Sequence, residues 1–415
     1  MSFLHALVVV SLGSVRGDGR GLMALLFFLV AACPGFWAPV IANVLAARGW
    51  DEWLELTLLV PPLGAILSPL ILGALADQRL AAQKVLAAIT FGNAIMTAAA
   101  FWLLERATSP ALFLACLAVK ALVSAPTWSI LTSVVLNNLN DPESMFGRVR
   151  VWGTVGWMVA GWTVSWIGWD ESARTGYLAA AVLFGTGFIC LFLPDTPPVK
   201  VPNRTWKEAL GFGAFRAFEN RDTAVYFLTA LIFAVPLAAY YPYTALYLKE
   251  VGVKQVAFSL SIGQLTEIVA MLAMGMLFRR ARLKVMFALA IGAGLVRYLC
   301  YLLAGDGSMA VTLIIAGIFM HGICWTLFFE TGRVFINRRV DTDLRSQAQA
   351  LMTVLSGGVG PATGYLISGA LYRWCVKGDG PGWVGFWGVM SALVVVALVF
   401  FLVGYRGIRH QASPR

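Results

Sequence analysis

Residues 384–403 read VGFWGVMSALVVVALVFFLV, an uninterrupted apolar stretch without a single charged side chain. About 20 apolar residues in a helix cross the hydrocarbon core of a bilayer, so this stretch predicts a transmembrane helix. Similar runs recur along all 415 residues, and the chain is 59% hydrophobic but only 13% charged. Soluble domains average about 25% charged residues. Lipid is therefore expected to surround most of this protein.

The apolar runs predict an all-α integral membrane protein with twelve transmembrane helices. Transmembrane β-barrels use alternating segments of about ten residues, whereas these runs are long and continuous. The predicted spans are 22–46, 54–76, 83–104, 109–136, 150–168, 176–194, 223–248, 256–278, 284–304, 308–332, 346–372 and 382–405.

A polar stretch in the middle of the chain divides it into two sets of six spans. It opens with Pro194, Pro197 and Pro198, which cannot continue a helix. Its basic and aromatic residues suit a helix lying along the membrane surface. The predicted organisation is an N-terminal extension (1–21), an N-terminal six-helix bundle (22–194), a cytoplasmic linker (195–222), a C-terminal six-helix bundle (223–405) and a cytoplasmic tail (406–415).

The two halves carry related loops at the same position. The loop after the second span begins GALADQRL at Gly73, and the loop after the eighth begins GMLFRRARL at Gly275; both are followed by Lys-Val. A duplicated six-plus-six architecture explains this correspondence. Paired repeats of this kind place a substrate near the bilayer midplane.

Basic residues predict the orientation. If both termini are cytoplasmic, about 22 of the 31 Lys and Arg residues fall on the cytoplasmic side and only seven on the other. Cytoplasmic loops carry such an excess. The sequence thus predicts a multi-pass protein of a bacterial inner membrane with both termini inside.

The composition also narrows the partners. The net charge of +10 suits anionic lipid headgroups, so we expect membrane lipid and no nucleic acid. The six cysteines have no C-x-x-C spacing, which predicts neither zinc nor a disulfide framework. With three histidines and no H-E-x-x-H or G-x-S-x-G motif, the chain is not expected to be an enzyme. We expect no cofactor, no metal and a monomer.

Polar residues inside spans are the candidate functional groups, because a central charge costs at least about 2.5–3.5 kcal/mol on insertion scales. Arg150, Thr154 and Trp157 lie at i, i+4 and i+7 and share a helix face. They present a guanidinium, a hydroxyl and an aromatic plane, which suits a polar ring-shaped ligand. The alternative is an interfacial arginine beside a packing tryptophan.

Gln264 and Glu267, at i and i+3, share a face of the eighth span. A carboxylate at that depth is a candidate proton carrier. The alternative is a static ion pair with Arg297 or Lys120, the other charges within spans.

The tenth span carries His321, Trp325 and Phe329 at i, i+4 and i+8. A histidine in a span is either functional or a satisfied interhelical hydrogen-bonding group. Glu330 is a second candidate for proton coupling, or it pairs with Arg333.

Four motifs resemble the nucleoside:proton symporter family of the major facilitator superfamily. Residues 146–157, FGRVRVWGTVGW, match its R-x-W-G-T-x-G-aromatic motif; residues 263–267, GQLTE, are similar to its Q-x-S-E segment. Residues 345–349, RSQAQ, resemble its R-x-x-A-Q run, and residues 73–80 resemble the superfamily's loop signature. The similarity is colinear from about residue 22 to 405 and implies the major facilitator fold.

The polar residues inside spans and the resemblance together imply roles for individual residues. Proton coupling would involve Glu267, Glu330, His321 and Arg297, and the conformational switch Gly73, Asp77 and Arg79. The residues expected to contact substrate are Arg150, Thr154, Trp157, Gln264, Glu267, Trp325, Phe329, Tyr241 and Trp37.

We therefore expect a transporter that imports nucleosides by proton symport through alternating access. Two departures bear on the substrate. Ala238 and Tyr241 stand where the resemblance implies amide side chains, and Thr326 stands in place of an acid. The alternatives are a proton-coupled sugar or glycoside symporter of the lactose-permease type, whose fifth helix the 146–157 stretch also resembles, and a binding protein without flux.

Overall fold

The protein is described from a computed structural model. The structure describes residues 20–76, 81–139, 142–193, 220–305, 307–337, 339 and 345–407. Asp77 and Arg79, nearly all of the predicted linker, and most of the two terminal segments lie outside these ranges.

The described residues form twelve helical regions. They are α1 (Arg20–Ala46), α2 (Leu54–Ala76), α3 (Ala82–Glu105), α4 (Pro110–Leu136), α5 (Pro142–Trp166), α6 (Arg174–Cys190), α7 (Arg221–Glu250), α8 (Val256–Arg280), α9 (Leu283–Ala304), α10 (Ala310–Ile336), α11 (Ala348–Lys377) and α12 (Gly382–Gly404).

These regions follow the predicted spans, and nine of the described helices are long and apolar enough to cross a bilayer. The largest boundary error is at α5, which begins at Pro142 and not at residue 150. Its first turns carry the charged residues Glu143 and Arg148, so a prediction from hydropathy alone started the span too late in the chain. A helix continues beyond its apolar stretch wherever its backbone hydrogen bonds remain satisfied.

Several spans depart from regular α-helix. In α1 a 3₁₀ turn covers Ala38–Val40, where Pro39 lacks the N–H that a regular helix needs. Residues Thr326–Glu330 of α10 and Val354–Val359 of α11 form π-helical turns. Such turns occur often at functional sites.

The chain divides into two compact units. The first contains α1, α3–α6, most of α2 and residues 254–261, which include the start of α8. The second contains α7, α9–α12, the remainder of α8 and residues 61–66 of α2.

Glycines allow the closest helix contacts in each unit. In the first, a side chain at Gly156 of α5 would collide with the backbone at Phe28 of α1. In the second, a side chain at Gly322 of α10 would collide with the backbone at Glu267 of α8. Small residues permit such packing between transmembrane helices. Both contacts hold helices that carry candidate functional residues.

The end of α12 is held by charged groups of the second unit. The ammonium of Lys284 donates to the carbonyl oxygens of Leu402 (2.9 Å) and Tyr405 (2.6 Å). Asp222 accepts from the backbone N–H groups of Arg406 (2.8 Å) and Gly407 (3.0 Å). The last carbonyls of a helix have no partner within it, so these side chains stabilise the helix end.

Candidate functional site

The α5 face predicted from the sequence is present in the first unit. Thr154 is buried, and Arg150 and Trp157 are partly buried. The guanidinium carbon of Arg150 lies 4.5 Å from the ring centroid of Trp128. A cation over an indole face is stabilised by the ring's negative quadrupole. Gly153 gives this pair its space, since an added Cβ would lie 3.2 Å from Nη1 of Arg150.

Two further groups of the first unit lie near the same helix pair. A Cβ at Gly35 would come within 3.0 Å of the Trp157 backbone, which places α1 directly against α5. Trp37, two residues on, is buried. The Lys120 ammonium lies 5.0 Å from its ring centroid. Arg150 and Lys120, two cations on described spans of the first unit, therefore both lie against tryptophan faces.

In the second unit, α8 carries the buried polar pair predicted from the spacing. Gln264 is 2% exposed and Glu267 is 9% exposed. The amide of Gln264 donates to the hydroxyl of Tyr241 on α7 over 2.7 Å. This bond fixes the orientation of the amide, so its oxygen is directed away from Tyr241. Tyr241 is thus the hydrogen-bond partner of Gln264, a residue predicted to contact the substrate.

Thr266 ties α8 to α10 beside these residues. Its hydroxyl oxygen accepts from the backbone N–H of Gly322 (3.1 Å), and its proton is shared between the carbonyl oxygens of Phe319 on α10 and Gly263 on α8, each 2.8 Å away. The segment carrying Gln264 and Glu267 is thereby held against the segment that carries His321. The spacing argument did not assign this role to Thr266, because the bond depends on which helix lies opposite.

Arg297 is completely buried at the centre of the second unit. Its Nη2 lies 3.3 Å from Nδ1 of His321, and its guanidinium carbon lies 4.7 Å from the ring centroid of Tyr240. The rings of Tyr240 and His321 stack with centroids 4.2 Å apart and an interplanar angle of 14°. Within the ranges that the structure describes, Arg297 makes no ion pair. An ion pair between Glu267 and Arg297, one of the alternatives raised by the sequence, is not formed.

This geometry fixes the protonation of His321. A guanidinium can only donate hydrogen bonds, so Nδ1 of His321 accepts and the imidazole proton resides on Nε2. A second proton on Nδ1 would remove that bond and place two cations side by side. His321 is therefore held neutral, which could not be predicted from the sequence because Arg297 lies 24 residues away.

The remaining predicted residues of the tenth span lie at its π-helical turn. The rings of Trp325 and Phe329 are 4.7 Å apart, so the aromatic pair expected from the spacing is present. Glu330 lies 3.9 Å from Nε of Arg333. The ion pair raised as the alternative for Glu330 is thus present.

The predicted site residues fall into two groups. Arg150, Thr154, Trp157 and Trp37 belong to the first unit. Those of the second unit are Tyr241, Gln264, Glu267, Arg297, His321, Trp325, Phe329 and Glu330. Gly73 lies within α2, whereas Asp77 and Arg79 are outside the described residues.

Sequence reasoning missed Tyr240, whose ring links Arg297 and His321. The only signal was its position in the unusual run Tyr240-Tyr241-Pro242-Tyr243. In the described ranges, no three His, Cys, Asp or Glu side chains are arranged to hold a metal ion.

Comparison with known proteins decides the family. The family described as "Nucleoside H+ symporter" matches residues 21–410. The chain belongs to the nucleoside H+ symporter family. This membership confirms the resemblance seen in the four motifs.

The relatives of this family member cover most of its length. The Escherichia coli (strain K12) protein YegT is 29% identical over 358 residues, which are 83% of each chain. The nucleoside permease NupG of the same organism is 24% identical over 367 residues, covering 85% of this chain and 87% of that protein. Its crystal structure superposes with a TM-score of 0.80 at 22% identity, over 94% of this chain and 100% of that one.

These similarities confirm the predicted fold class, an all-α membrane transporter of the major facilitator type. The nucleoside H+ symporter family consists of transporters, so this member is a transporter and not an enzyme. It is a multi-pass membrane protein.

Proposed function

We propose that the protein imports nucleosides into the cytoplasm by proton symport through alternating access. The observation that carries this proposal is Glu267, a carboxylate only 9% exposed on a membrane-spanning helix, beside Gln264. Buried ionisable groups inside spans are costly and mark ion or substrate pathways. Family membership supplies the substrate class.

The setting of this activity is the bacterial inner membrane. Both termini and the linker are cytoplasmic, as the distribution of Lys and Arg indicates. The protein works as a monomer among anionic lipids and binds no nucleic acid.

Nucleosides present a flat base and a hydroxylated ribose, and each finds suitable groups here. Trp157, Trp37 and the pair Trp325 and Phe329 offer aromatic surfaces on which a base or sugar can stack. Arg150, Thr154 and Gln264 supply hydrogen-bonding groups. Gln264 is oriented for this task by Tyr241, 2.7 Å away.

Among the four candidates for proton coupling, Glu267 is the proton carrier. Arg297 and His321 are committed to each other, and Arg297 keeps His321 neutral. Glu330 is paired with Arg333. Protonated Glu267 allows nucleoside to bind and the loaded, neutralised protein to reorient, and loss of the proton to the cytoplasm then releases the nucleoside.

The test is uptake of radiolabelled uridine into proteoliposomes with and without an inwardly directed proton gradient. We expect accumulation only with the gradient, and competition by unlabelled nucleosides. Uptake that ignores the gradient would contradict symport.

The same experiment distinguishes a nucleoside substrate from a sugar substrate. The aromatic-rich seventh helix is what favours the sugar alternative. Glucosides and galactosides are included among the competitors, and we expect them to leave uridine uptake unchanged. Gradient-driven uptake of a sugar with no uptake of any nucleoside would overturn the proposed substrate.

A further inference from the structure

The loop between α5 and α6 holds a buried carboxylate that no step of nucleoside binding or proton transfer uses. Asp170 lies in this loop, outside the membrane spans, and is only 5% exposed. Its Oδ1 accepts from the backbone N–H of Ala257 (2.7 Å) and from the hydroxyl of Ser165 (2.8 Å). The Ser165 oxygen in turn accepts from the N–H of Phe258 over 2.9 Å. Two of the four orphan N–H groups at the start of α8 are thereby satisfied.

Neighbouring contacts between α5 and the start of α8 extend this group of hydrogen bonds. The indole N–H of Trp162 donates to the hydroxyl of Ser261 over 2.7 Å. A Cβ at Gly161 would lie 3.0 Å from the carbonyl oxygen of Ala257. All of these residues belong to the first unit. From Ile262 onward α8 belongs to the second unit.

We infer that Asp170 and Ser165 are positioning residues for transport: they clasp the start of α8, the helix that carries Gln264 and Glu267, and protonation of Asp170 holds the clasp closed. We call the Ser165, Asp170, Ala257 and Phe258 group the α8 clasp. Because α8 continues into the second unit, a transport cycle that moves α8 away from α5 must release these hydrogen bonds.

The surroundings of the second carboxylate oxygen of Asp170 favour the protonated form of this side chain. Oδ2 is buried and has no hydrogen-bond partner, an unfavourable place for a negative charge but a suitable one for a carboxylic acid O–H. Burial raises the pKa of Asp170 above its ordinary value, although its hydrogen bonds act in the opposite direction.

The charged side chains near Asp170 do not offset the effect of burial on its pKa. On its own loop, Glu171 is exposed and Arg174 forms an ion pair with Glu105 at 3.6 Å. On the facing segment Lys254 is exposed. None of these side chains is a hydrogen-bond partner of Asp170.

The sign of the pH effect follows from these contacts. Asp170 binds its proton more tightly in the closed clasp than when it is released into water. Lowering the pH from above its raised pKa toward the ordinary value therefore stabilises the closed clasp. Raising the pH favours release.

The first test uses amide hydrogen exchange of segment 254–261 in the purified full-length protein, corrected for intrinsic exchange rates, over a pH series that begins near the ordinary pKa of an aspartic acid. We expect protection in the wild type to be strongest at the acid end of the series and to fall as the pH rises through the raised pKa of Asp170. Asp170→Ala should lower protection about tenfold at both ends of the series, since the Ala257 amide loses its acceptor and Ser165, the acceptor of the Phe258 amide, loses the carboxylate that orients its hydroxyl. Asp170→Asn keeps a neutral acceptor and should stay protected at both. Glu171→Gln, the exposed neighbour, is the matched control and should resemble the wild type.

The second test uses nucleoside exchange with equal pH on both sides of the membrane. It rests on the proposed function. At each pH, Asp170→Asn should exchange more slowly than the wild type, and this deficit should grow about threefold from the acid to the alkaline end of the series, because only the wild-type clasp is released as the pH rises. Both proteins keep Glu267, so the pH dependence of nucleoside binding is common to them. If no nucleoside is carried, the proposed function fails but the protection data still decide the clasp. Equal protection in wild type and Asp170→Ala, or an unchanged pH response in Asp170→Asn, would overturn the inference.

Discussion

The two units treat buried charge in different ways. In the first, the cations Arg150 and Lys120 lie over the rings of Trp128 and Trp37 at 4.5 and 5.0 Å. In the second, the polar groups form hydrogen-bonded contacts that link four helices, from Tyr241 and Gln264 to Arg297 and His321. Aromatic faces thus stabilise the cations of the first unit, whereas hydrogen bonds between helices hold the polar groups of the second.

This difference suggests that the two units have different roles in transport. The first unit offers cations beside aromatic planes, which suit recognition of a base or ribose. The second unit contains Glu267, a buried acid near the middle of a described span. The described part of the first unit has no acid at the middle of a span. We therefore propose that proton coupling belongs to the second unit, and the following variants test that proposal.

Glu267→Gln should have the largest effect. An amide cannot carry the proton, so gradient-driven accumulation of uridine should fall at least about tenfold, while exchange of uridine at equal concentrations persists. Glu330→Gln is the matched control, because its ion pair with Arg333 at 3.9 Å accounts for its charge. Full accumulation by Glu267→Gln would remove proton coupling from this residue.

Arg150→Gln should weaken uridine binding about ten- to a hundredfold, since a charge-assisted hydrogen bond contributes about 1.5–3 kcal/mol. Coupling to the proton gradient should be retained. Binding is measured by scintillation proximity on purified protein. Arg148→Gln, an exposed arginine two residues earlier on α5, should bind normally. If both variants lose equal affinity, the loss is not due to the α5 face.

His321→Leu should destabilise the protein by about 1–3 kcal/mol, because it leaves a donor of the buried Arg297 without its acceptor. His321→Gln supplies an acceptor and should recover most of this loss. Thermal unfolding in detergent measures both. His321→Gln should also keep gradient-driven uptake; loss of coupling in this folded variant would make His321 the proton carrier.

Tyr241→Phe should have the smallest effect. The substitution removes the hydrogen bond that orients the Gln264 amide. Uridine binding should weaken about two- to tenfold, as expected for one neutral hydrogen bond of about 0.5–1.5 kcal/mol. Tyr247→Phe removes a comparable bond to the carbonyl oxygen of Gly305, 3.1 Å long, and should leave binding unchanged. Equal losses in the two variants would contradict a specific role for Tyr241.

Much of the fold could be predicted from the sequence, because membrane spans are read from local composition. The α5 face and the α8 pair could also be predicted, since residues three or four apart on a helix share a side. Partners on other helices could not. The sequence left open whether Arg297 pairs with Glu267, and the structure places His321 and Tyr240 beside it.

The sequence by itself determined the membrane class, the twelve helical regions, the family and the helix faces that carry chemistry, since each depends on composition or on short-range spacing. Only the tertiary structure decided which polar groups are already committed: Gln264 to Tyr241, Arg297 to His321, and Asp170 to the start of α8. The physical reason is that hydrogen bonds act over about 3 Å, so a partner far away in the chain becomes known only when the helices are packed.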